Sequence, residues 1–310
     1  MKRNIYSKLW MIFFVLMGAA CTNQVEDAIP VSGQPIEFSV QSDWKEIPNT
    51  RSDDGKTQFV KDDQIQIFGF HTSPSGEVKK FMYDVKKTNY GQIVTYDGNS
   101  SWNYTPKRFW PKEGKLDFFA SYPYNSIRND ADNHTMIYDQ TANSMKQDLL
   151  WGVSTKNDCA AKNDVVITMK HALAKVNIFF DKSWGDIGTV MFSAYNAGRF
   201  TKTDDSGIPA WEFNDDDKTP FNAVFGYHDM LRDDPGNPGT SLTVFILPGN
   251  ITGFQMFDVS GNKIAGSDDI SNEIQKKTFK AGQAYKLTIR RAQKNTNSRS
   301  IAMSVRCVSE

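Results

Sequence analysis

The sequence is poor in the residues that build disulfide frameworks and metal centres. It contains three cysteines and four histidines in 310 residues. Three cysteines are too few for the disulfide framework of a small exported domain, so burial of apolar side chains must stabilise the fold. None of the histidines lies at zinc-ligand spacing from another histidine, a cysteine or a pair of carboxylates, and we therefore expect no metal site. Whether Cys159 and Cys307 pair with each other is left open.

The sequence also lacks an excess of positive charge. Lys and Arg total 36 residues, as do Asp and Glu. The first 20 residues carry three of the basic residues and no acidic one, so the remainder has 33 basic against 36 acidic residues. Proteins that bind nucleic acids carry basic stripes that contact phosphates, and no such stripe is present here. We therefore expect no nucleic-acid partner.

Motifs typical of catalytic or cofactor sites are missing as well. The sequence has no GxSxG nucleophile motif, no P-loop and no dinucleotide-binding fingerprint. Four acidic runs invite a calcium or glycosidase interpretation, but none has the ligand register of an EF-hand, and glycoside hydrolysis needs two facing carboxylates. We interpret these runs as solvated turns and expect neither an enzyme nor a bound cofactor. The runs are Asp204-Asp205, Asp215-Asp216-Asp217, Asp233-Asp234 and Asp268-Asp269.

The N-terminal apolar run is too short to cross a membrane. Lys2, Arg3 and Lys8 precede it, and residues 9–20 are almost all apolar and end in small residues. A helix needs about 20 apolar residues to span the hydrocarbon core, whereas a basic start and a small-residue end are typical of a secretion signal. We predict a signal peptide at residues 1–20.

The residue that follows this signal is Cys21. Gly18, Ala19 and Ala20 precede it, and a polar stretch follows. This pattern resembles a bacterial lipobox, although Gly18 stands where Leu is usual. The resemblance implies that the Cys21 thiol carries a lipid anchor with fatty acyl chains such as palmitate, and that residues 21–35 form a flexible tether. The alternative is an ordinary signal peptide and a soluble secreted protein.

Beyond residue 35, apolar and polar side chains alternate in many short runs. A period of two is typical of β-strands, and Gly, Asn and Asp turns separate the runs. We predict an all-β fold of β-sandwich type, with one short helix at residues 271–277. About 290 residues exceed the usual size of a single core, so we expect two domains. The predicted strands lie at residues 36–40, 65–70, 81–85, 93–96, 116–122, 165–169, 174–180, 190–195, 242–247, 254–259 and 285–289.

Aromatic residues are concentrated between residues 102 and 124. Each ring typically buries about 150–250 Å² on folding, so we predict that this stretch lies in a hydrophobic core. An exposed aromatic platform for glycans is the alternative. We predict that His171 is a buried, hydrogen-bonded residue at a strand junction and not a catalytic base. The aromatic residues are Trp102, Tyr104, Phe109, Trp110, Phe118, Phe119, Tyr122 and Tyr124.

Several segments together resemble the fimbrillin-like family, the lipoprotein subunits of type V pili in Gram-negative gut and oral anaerobes. The most specific segment is His171-Ala172-Leu173-Ala174-Lys175-Val176, with alternating apolar residues before it. The resemblance implies two tandem transthyretin-like β-sandwich domains, which we place at residues 36–183 and 184–310. The segments that carry the resemblance are residues 59–70, 102–124, 148–154, 165–180, 281–289 and 300–308.

This resemblance implies a fimbrial subunit or a pilus-associated adhesin at the cell outer membrane. Its partners would be other pilus subunits, either copies of itself or paralogues, with a host protein or glycan as a further candidate. A surface glycan-binding lipoprotein is the alternative function. A polymerising stalk subunit, a lipid-retaining anchor and a tip adhesin all agree with the sequence.

The resemblance also implies assembly by strand exchange. In such pilins an Arg-directed protease cuts behind the first strand, and a strand of the next subunit fills the vacated groove. Here the first strand is residues 36–40, and the linker at 41–55 contains one Arg. We expect processing between Arg51 and Ser52, although Arg51 is alternatively an ordinary loop residue. The C-terminal run is either the donor strand or a fixed final strand, with Ile301, Met303, Val305 and Cys307 on its apolar face.

Overall fold

The fold is built almost entirely from β-strands, which confirms the all-β prediction. A computed structural model describes residues 33–42, 58–130, 134–140, 144–201, 203, 206–213, 221–234, 237–291 and 303–309. Residues 1–33 and 34–310 form two separate units, and Gly33 is the described residue of the first. All the elements below belong to the second unit.

The first sheet contains eight strands in the order β1-β10-β9-β6-β2-β4-β5, with β3 beside β2. The strand β1 runs parallel to β10, whereas the other neighbours are antiparallel. The strand bounds are β1 (Phe38–Ser42), β2 (Gln64–Thr72), β3 (Val78–Met82), β4 (Gln92–Tyr96), β5 (Trp102–Asn103), β6 (Lys115–Tyr122), β9 (Leu150–Asp158) and β10 (Val165–His171).

The alternation in β10 shows why these residues form strands. Val165, Ile167 and Met169 are buried, while Val166 and Thr168 between them are exposed. Successive side chains of a strand point to opposite faces, so this pattern places one apolar face against the core. β-branched residues also fit the pleated backbone well.

Three further sheets complete the fold. Their orders are β15-β16-β11-β18-β19, β14-β12-β17 and β13-β8-β7. The strand bounds are β7 (Ile127–Asn129), β8 (Met136–Asp139), β11 (Ala174–Asp181), β12 (Ile187–Ala194), β13 (Ala197–Phe200), β14 (Phe221–Gly226), β15 (Leu231–Asp234), β16 (Asn237–Ile246), β17 (Thr252–Asp258), β18 (Ala284–Arg291) and β19 (Met303–Ser309).

Among the described residues, the α-helix α1 spans Ser267–Ile274. Ile270 and Ile274 are buried, and Asp268 and Asp269 lie in the first turn, where carboxylates favour the positive end of the helix dipole. The helix therefore begins and ends earlier than the predicted range of 271–277. Three short 3₁₀ turns lie at Ser144–Lys146, Lys182–Trp184 and Tyr227–Asp229.

Three apolar clusters form the core. One is enclosed by the first sheet and includes Ile36, Phe38 and Phe118. The second contains residues of the β11, β12, β16 and β17 strands and of α1. The third joins Trp151 of the first sheet to residues of the other sheets, such as Phe200.

The two predicted domains, residues 36–183 and 184–310, stay a prediction. The strand β11 lies on the N-terminal side of that boundary, yet it pairs with β16 and β18 from the C-terminal side. The change from the first sheet to the second therefore occurs between β10 and β11.

Candidate functional site: a strand held in a groove

The most N-terminal part of the first sheet bonds to two different stretches of backbone, through residues 34–36 on one edge and residues 37–42 on the other. We call residues 34–42 the plug segment. On one edge, β1 forms a parallel ladder with β10. On the other edge, the Ile36 N–H donates to the Arg108 carbonyl at 2.9 Å, and the Trp110 N–H donates to the Gln34 carbonyl at 3.1 Å. The plug segment is therefore inserted between two stretches of backbone.

The second of these stretches is residues 104–110, which we call the clamp segment. It follows β5, which lies at the opposite end of the first sheet from β1. Pro35 pairs with Phe109 in a β-bridge, so the plug segment links the two ends of the sheet. The Gln92 side chain supports the clamp segment by donating to the Thr105 carbonyl at 2.6 Å.

Two side chains of the plug segment fill the core of the first sheet. Ile36 is 0% exposed and Phe38 is 5% exposed. The Phe38 ring lies edge-on to Tyr104 at 5.6 Å and to Phe118 at 5.2 Å between ring centres. Burying two such side chains contributes on the order of 3 to 6 kcal/mol, so the empty groove would expose a substantial apolar surface.

Tyr104 binds the plug segment through its hydroxyl group. The hydroxyl donates to the Ile36 carbonyl at 2.8 Å and lies 3.4 Å from the backbone nitrogen of Arg108, which donates to it. Burial raises the pKa of Tyr104 to about 12; the nearby Glu37 also raises this pKa, while Arg108 lowers it. The hydroxyl therefore keeps its proton at neutral pH and remains a donor.

A charged pair lies at the outer edge of the same site. The Lys107 ammonium is 3.3 Å from the Glu37 carboxylate and 4.7 Å from the centre of the Tyr104 ring. Both charged side chains are largely exposed, so water screens the ion pair and its contribution to stability is small. The buried backbone and apolar contacts hold the plug segment more strongly.

The predicted processing and lipidation residues lie outside the described residues. They are Cys21, Arg51 and Ser52. The described chain ends at Ser42 and begins again at Gln58, and the predicted cut falls between these two points. Lipidation and processing both stay predictions.

The predicted donor run lies largely in β19, which pairs with β18 of the same chain. Val305 lies opposite Ile289 and Cys307 lies opposite Leu287, and both β18 residues are buried. Met303 begins the strand, while Ile301 lies outside the described residues. The run is thus the last strand of its own sheet here, and its role as a donor stays a prediction.

The aromatic stretch lies in the core, as predicted. Trp102, Tyr104, Trp110 and Phe118 are buried, and the other four predicted rings are half-buried. Every tryptophan in the described ranges is buried or half-buried. The glycan-binding alternative requires several Trp and Tyr residues to form an exposed flat platform, and within the described ranges the tryptophans do not contribute to one.

The prediction for His171 holds in part: the residue is hydrogen-bonded at the end of a strand, but it is half-buried and not buried. His171 ends β10, and its Nδ1 atom lies 2.6 Å from a carboxylate oxygen of Asp148, which is mostly buried. His134 is half-buried beside the Phe70 ring, and this burial lowers its pKa. Within the part of the chain that the structure describes, no cluster of His, Cys, Asp and Glu is suited to a metal ion.

The acidic runs divide between described and undescribed positions. Asp268 lies in α1 and forms an ion pair with Lys263 at 2.7 Å. Asp233 and Asp234 belong to β15. The prediction of turns is therefore wrong for these two runs, which lie in a helix and in a strand. The prediction that the runs at 204–205 and 215–217 are solvated turns falls outside the described residues.

Cys159 is a free thiol in the core of the first sheet. Burial raises its pKa to about 11, and the neighbouring Asp158 acts in the same direction. A buried thiol with a raised pKa is an unreactive core residue. The question of its pairing with Cys307 is thereby answered for Cys159, which has no disulfide bond.

Sequence reasoning missed the clamp segment as a binding element. It predicted only that Tyr104 and Trp110 are buried, because aromatic residues usually are. The pairing of residues 108–110 with the plug segment spans more than 70 residues of sequence, and no local periodicity predicts such a contact.

No α-helix among the described residues has the length and apolar character needed to cross a membrane.

Comparison with known proteins identifies the fold. The model of the fimbrillin-like family matches residues 50–304. A solved candidate cell adhesion protein from Bacteroides uniformis aligns with a TM-score of 0.53 and 16% identity, over 88% of this chain and 97% of its own. Another from Bacteroides ovatus gives a TM-score of 0.50 and 11% identity, over 90% and 98%. A comparison with curated proteins finds no match.

Proposed function

The chain belongs to the fimbrillin-like family, and on this premise we propose that it is a fimbrial (type V pilus) subunit or a pilus-associated adhesin lipoprotein. It assembles with other subunits by β-strand exchange and supports adhesion at the cell surface. In this proposal the protein is not an enzyme, and its chemistry is the pairing of backbone groups and apolar side chains.

The observation that carries the proposal is the plug segment, which is bound along both edges in an apolar groove. If the plug segment leaves, the backbone groups of the clamp segment and of β10 lose their partners. An unpaired buried polar group costs about 1–3 kcal/mol, so the open groove has a strong tendency to bind another strand. Adding an extended strand to an open sheet edge is a common mode of peptide recognition.

Processing supplies the step that makes the plug segment replaceable. It is continuous with the predicted linker, and a cut between Arg51 and Ser52 separates it covalently from the rest of the fold. Its own contacts are then the only ones that retain it. The C-terminal run of a second copy or a paralogue, with Ile301, Met303, Val305 and Cys307, is the proposed replacement.

The joint between such subunits is heterologous, because the groove of one chain binds the tail of another. A head-to-tail contact that does not close on itself produces open filaments and not rings. Each subunit has one groove and one tail, so chains of indefinite length can form.

We propose that the lipid on Cys21 holds the unprocessed protein on the outer membrane. The tether at residues 21–35 leads from this anchor to the plug segment. A cut behind the plug segment therefore releases the folded body from the anchor at the same time as it frees the groove. Retention of the anchor would instead suit a subunit at the base of a filament.

The proposal can be tested with two variants that fail at opposite ends of the joint. Arg51→Ala keeps its own plug segment and should not accept a donor, whereas deletion of residues 301–310 should leave the groove functional but remove the donor. Size-exclusion chromatography after digestion with an Arg-specific protease should show polymers for the wild type. Mixed with intact protein, the tail deletion should give short capped complexes.

A matched control is Arg128→Ala, which removes a partly exposed Arg that pairs with Asp139 and is far from the linker in sequence. This variant should polymerise like the wild type. A wild-type chain that is cut after Arg51 and remains monomeric at high concentration would contradict self-assembly.

A further inference from the structure

We infer that Tyr104 is a positioning residue that holds the backbone of whichever strand occupies the groove. The inference rests on the proposed strand exchange and adds how the groove recognises its strand. Because the Tyr104 hydroxyl contacts a main-chain carbonyl, it acts on strands of different sequence in the same way.

The geometry at Ile36 is the basis for this inference. The Tyr104 hydroxyl donates to the Ile36 carbonyl at 2.8 Å, and the Ile36 N–H donates to the Arg108 carbonyl at 2.9 Å. The clamp segment therefore binds both main-chain groups of one residue. The Ile36 side chain is fully buried between these contacts, so neither bond is exchanged with water.

Burial makes the hydroxyl dependent on the strand. Tyr104 is 5% exposed, far less than a surface tyrosine. The hydroxyl lies 2.8 Å from the Ile36 carbonyl and 3.4 Å from the Arg108 carbonyl, so the carbonyl of the strand is the nearer of these two acceptors. An empty groove would leave the hydroxyl with the longer contact to Arg108, which favours capture of a new strand.

The contacts define what an incoming strand must provide. It needs a residue with a free N–H at the position of Ile36, which excludes proline there. It also needs apolar side chains at this position and two residues further on, where Phe38 contacts Phe118. Of the other side chains, Glu37 contacts Lys107 of the clamp segment in a partly exposed ion pair of small energy, so copies of this chain and paralogous subunits can share one groove.

The test uses the full chain with the recognition sequence of a site-specific protease in place of residues 49–54. After cutting, binding of a dye-labelled peptide of residues 33–42 is measured by fluorescence anisotropy. A second peptide carries an ester in place of the amide between Ile36 and Glu37, which makes the Ile36 carbonyl a weaker acceptor. Both peptides are measured against the wild type and against Tyr104→Phe.

We expect the ester to weaken binding to the wild type by about three- to ten-fold, as for the loss of one hydrogen bond. The Tyr104→Phe variant should bind the amide peptide more weakly than the wild type does. The ester penalty, which is the factor by which the ester weakens peptide binding, should be clearly smaller in this variant. The ester also removes the Glu37 N–H, but this loss affects both proteins alike and cancels in the comparison. Tyr96→Phe is the matched control, since its hydroxyl donates to Asn99 in an exposed loop, and it should retain the wild-type penalty.

An equal ester penalty in the wild type and Tyr104→Phe would overturn the inference. If the wild type takes up no peptide at all after cutting, strand exchange itself is refuted. If Tyr104→Phe does not fold, the wild-type protein still decides the question, because an ester peptide that binds as tightly as the amide peptide would contradict the inference.

Discussion

The plug segment and β19 lie at opposite ends of the fold, and they are held in different ways. Both β1 and β19 are terminal strands of their sheets, and they pair with β10 and β18. The plug segment has a second partner, because residues 34–36 ahead of β1 bond to residues 108–110 of the clamp segment. Loss of the plug segment would open a groove lined by apolar side chains and unpaired backbone groups, whereas loss of β19 would expose a sheet edge. This difference supports the proposal that the first occupies an acceptor site and that the second is a donor strand.

The largest contrast is expected from removing each strand. Deletion of residues 34–42 should give a chain that associates or aggregates, because the groove binds exposed strands of other molecules. Deletion of residues 303–310 should leave a monomer that unfolds cooperatively. Light scattering and urea unfolding measure both outcomes, and a peptide of residues 33–42 should restore the first variant to a monomer. Two variants that behave alike would remove the distinction between the strands.

A smaller effect is expected from removing the Phe118 ring, which packs against the plug segment. Phe118→Ala should destabilise the fold by about 3 to 5 kcal/mol, because Phe118 is fully buried and contacts Phe38. The control is Val166→Ala on β10, where the side chain is 51% exposed and the change should be small. Urea unfolding gives both values. A Phe118→Ala variant as stable as Val166→Ala would show that the groove does not depend on its apolar core.

Alkaline pH offers a more selective probe of the groove. The folded pKa of Tyr104 is raised to about 12, above its usual value of 10.0, chiefly by burial. Because the pKa is higher in the folded than in the unfolded protein, the Tyr104 hydroxyl contributes its full share of the folding stability below pH 10. This contribution is lost as the pH rises towards 12. Tyr104→Phe should therefore lose less stability than the wild type over this range in urea unfolding. Identical pH profiles would show that the hydroxyl is not buried in the folded protein.

The smallest effect is expected at the exposed rim of the site. Glu37→Gln removes the ion pair with Lys107 and should change stability by less than about 1 kcal/mol, because both side chains are largely exposed. Moderate salt should reduce the difference further. A larger loss in urea unfolding would mean that charge, and not the buried backbone and apolar contacts, holds the plug segment.

Local patterns in the sequence predicted the strands that alternate and missed those that do not. The strand β10 alternates strictly, so its position was clear. In β9, Leu150, Trp151 and Gly152 are all buried, since both faces of the sheet are covered there. The strands β7 and β13 have three and four residues and are too short to show a period.

The candidate site likewise contains parts that local sequence patterns predict and parts that they do not. The first strand and the buried aromatic residues could be predicted, because apolar alternation and ring size are local properties. The clamp segment could not, because its bonds to the plug segment join residues far apart in sequence. The predicted helix began at residue 271 and so left out Ile270, although Ile270 and Ile274 form the buried apolar pair of α1.

The central claim is that the plug segment must leave before subunits join, and a reversible lock tests it most directly. Ser39 and Val166 are exposed register partners on β1 and β10, so Ser39→Cys combined with Val166→Cys should form a disulfide across the two strands. After a cut behind the plug segment, native mass spectrometry should show monomers in the oxidised protein and polymers once it is reduced. Polymers that form equally well while the disulfide is intact would contradict the account.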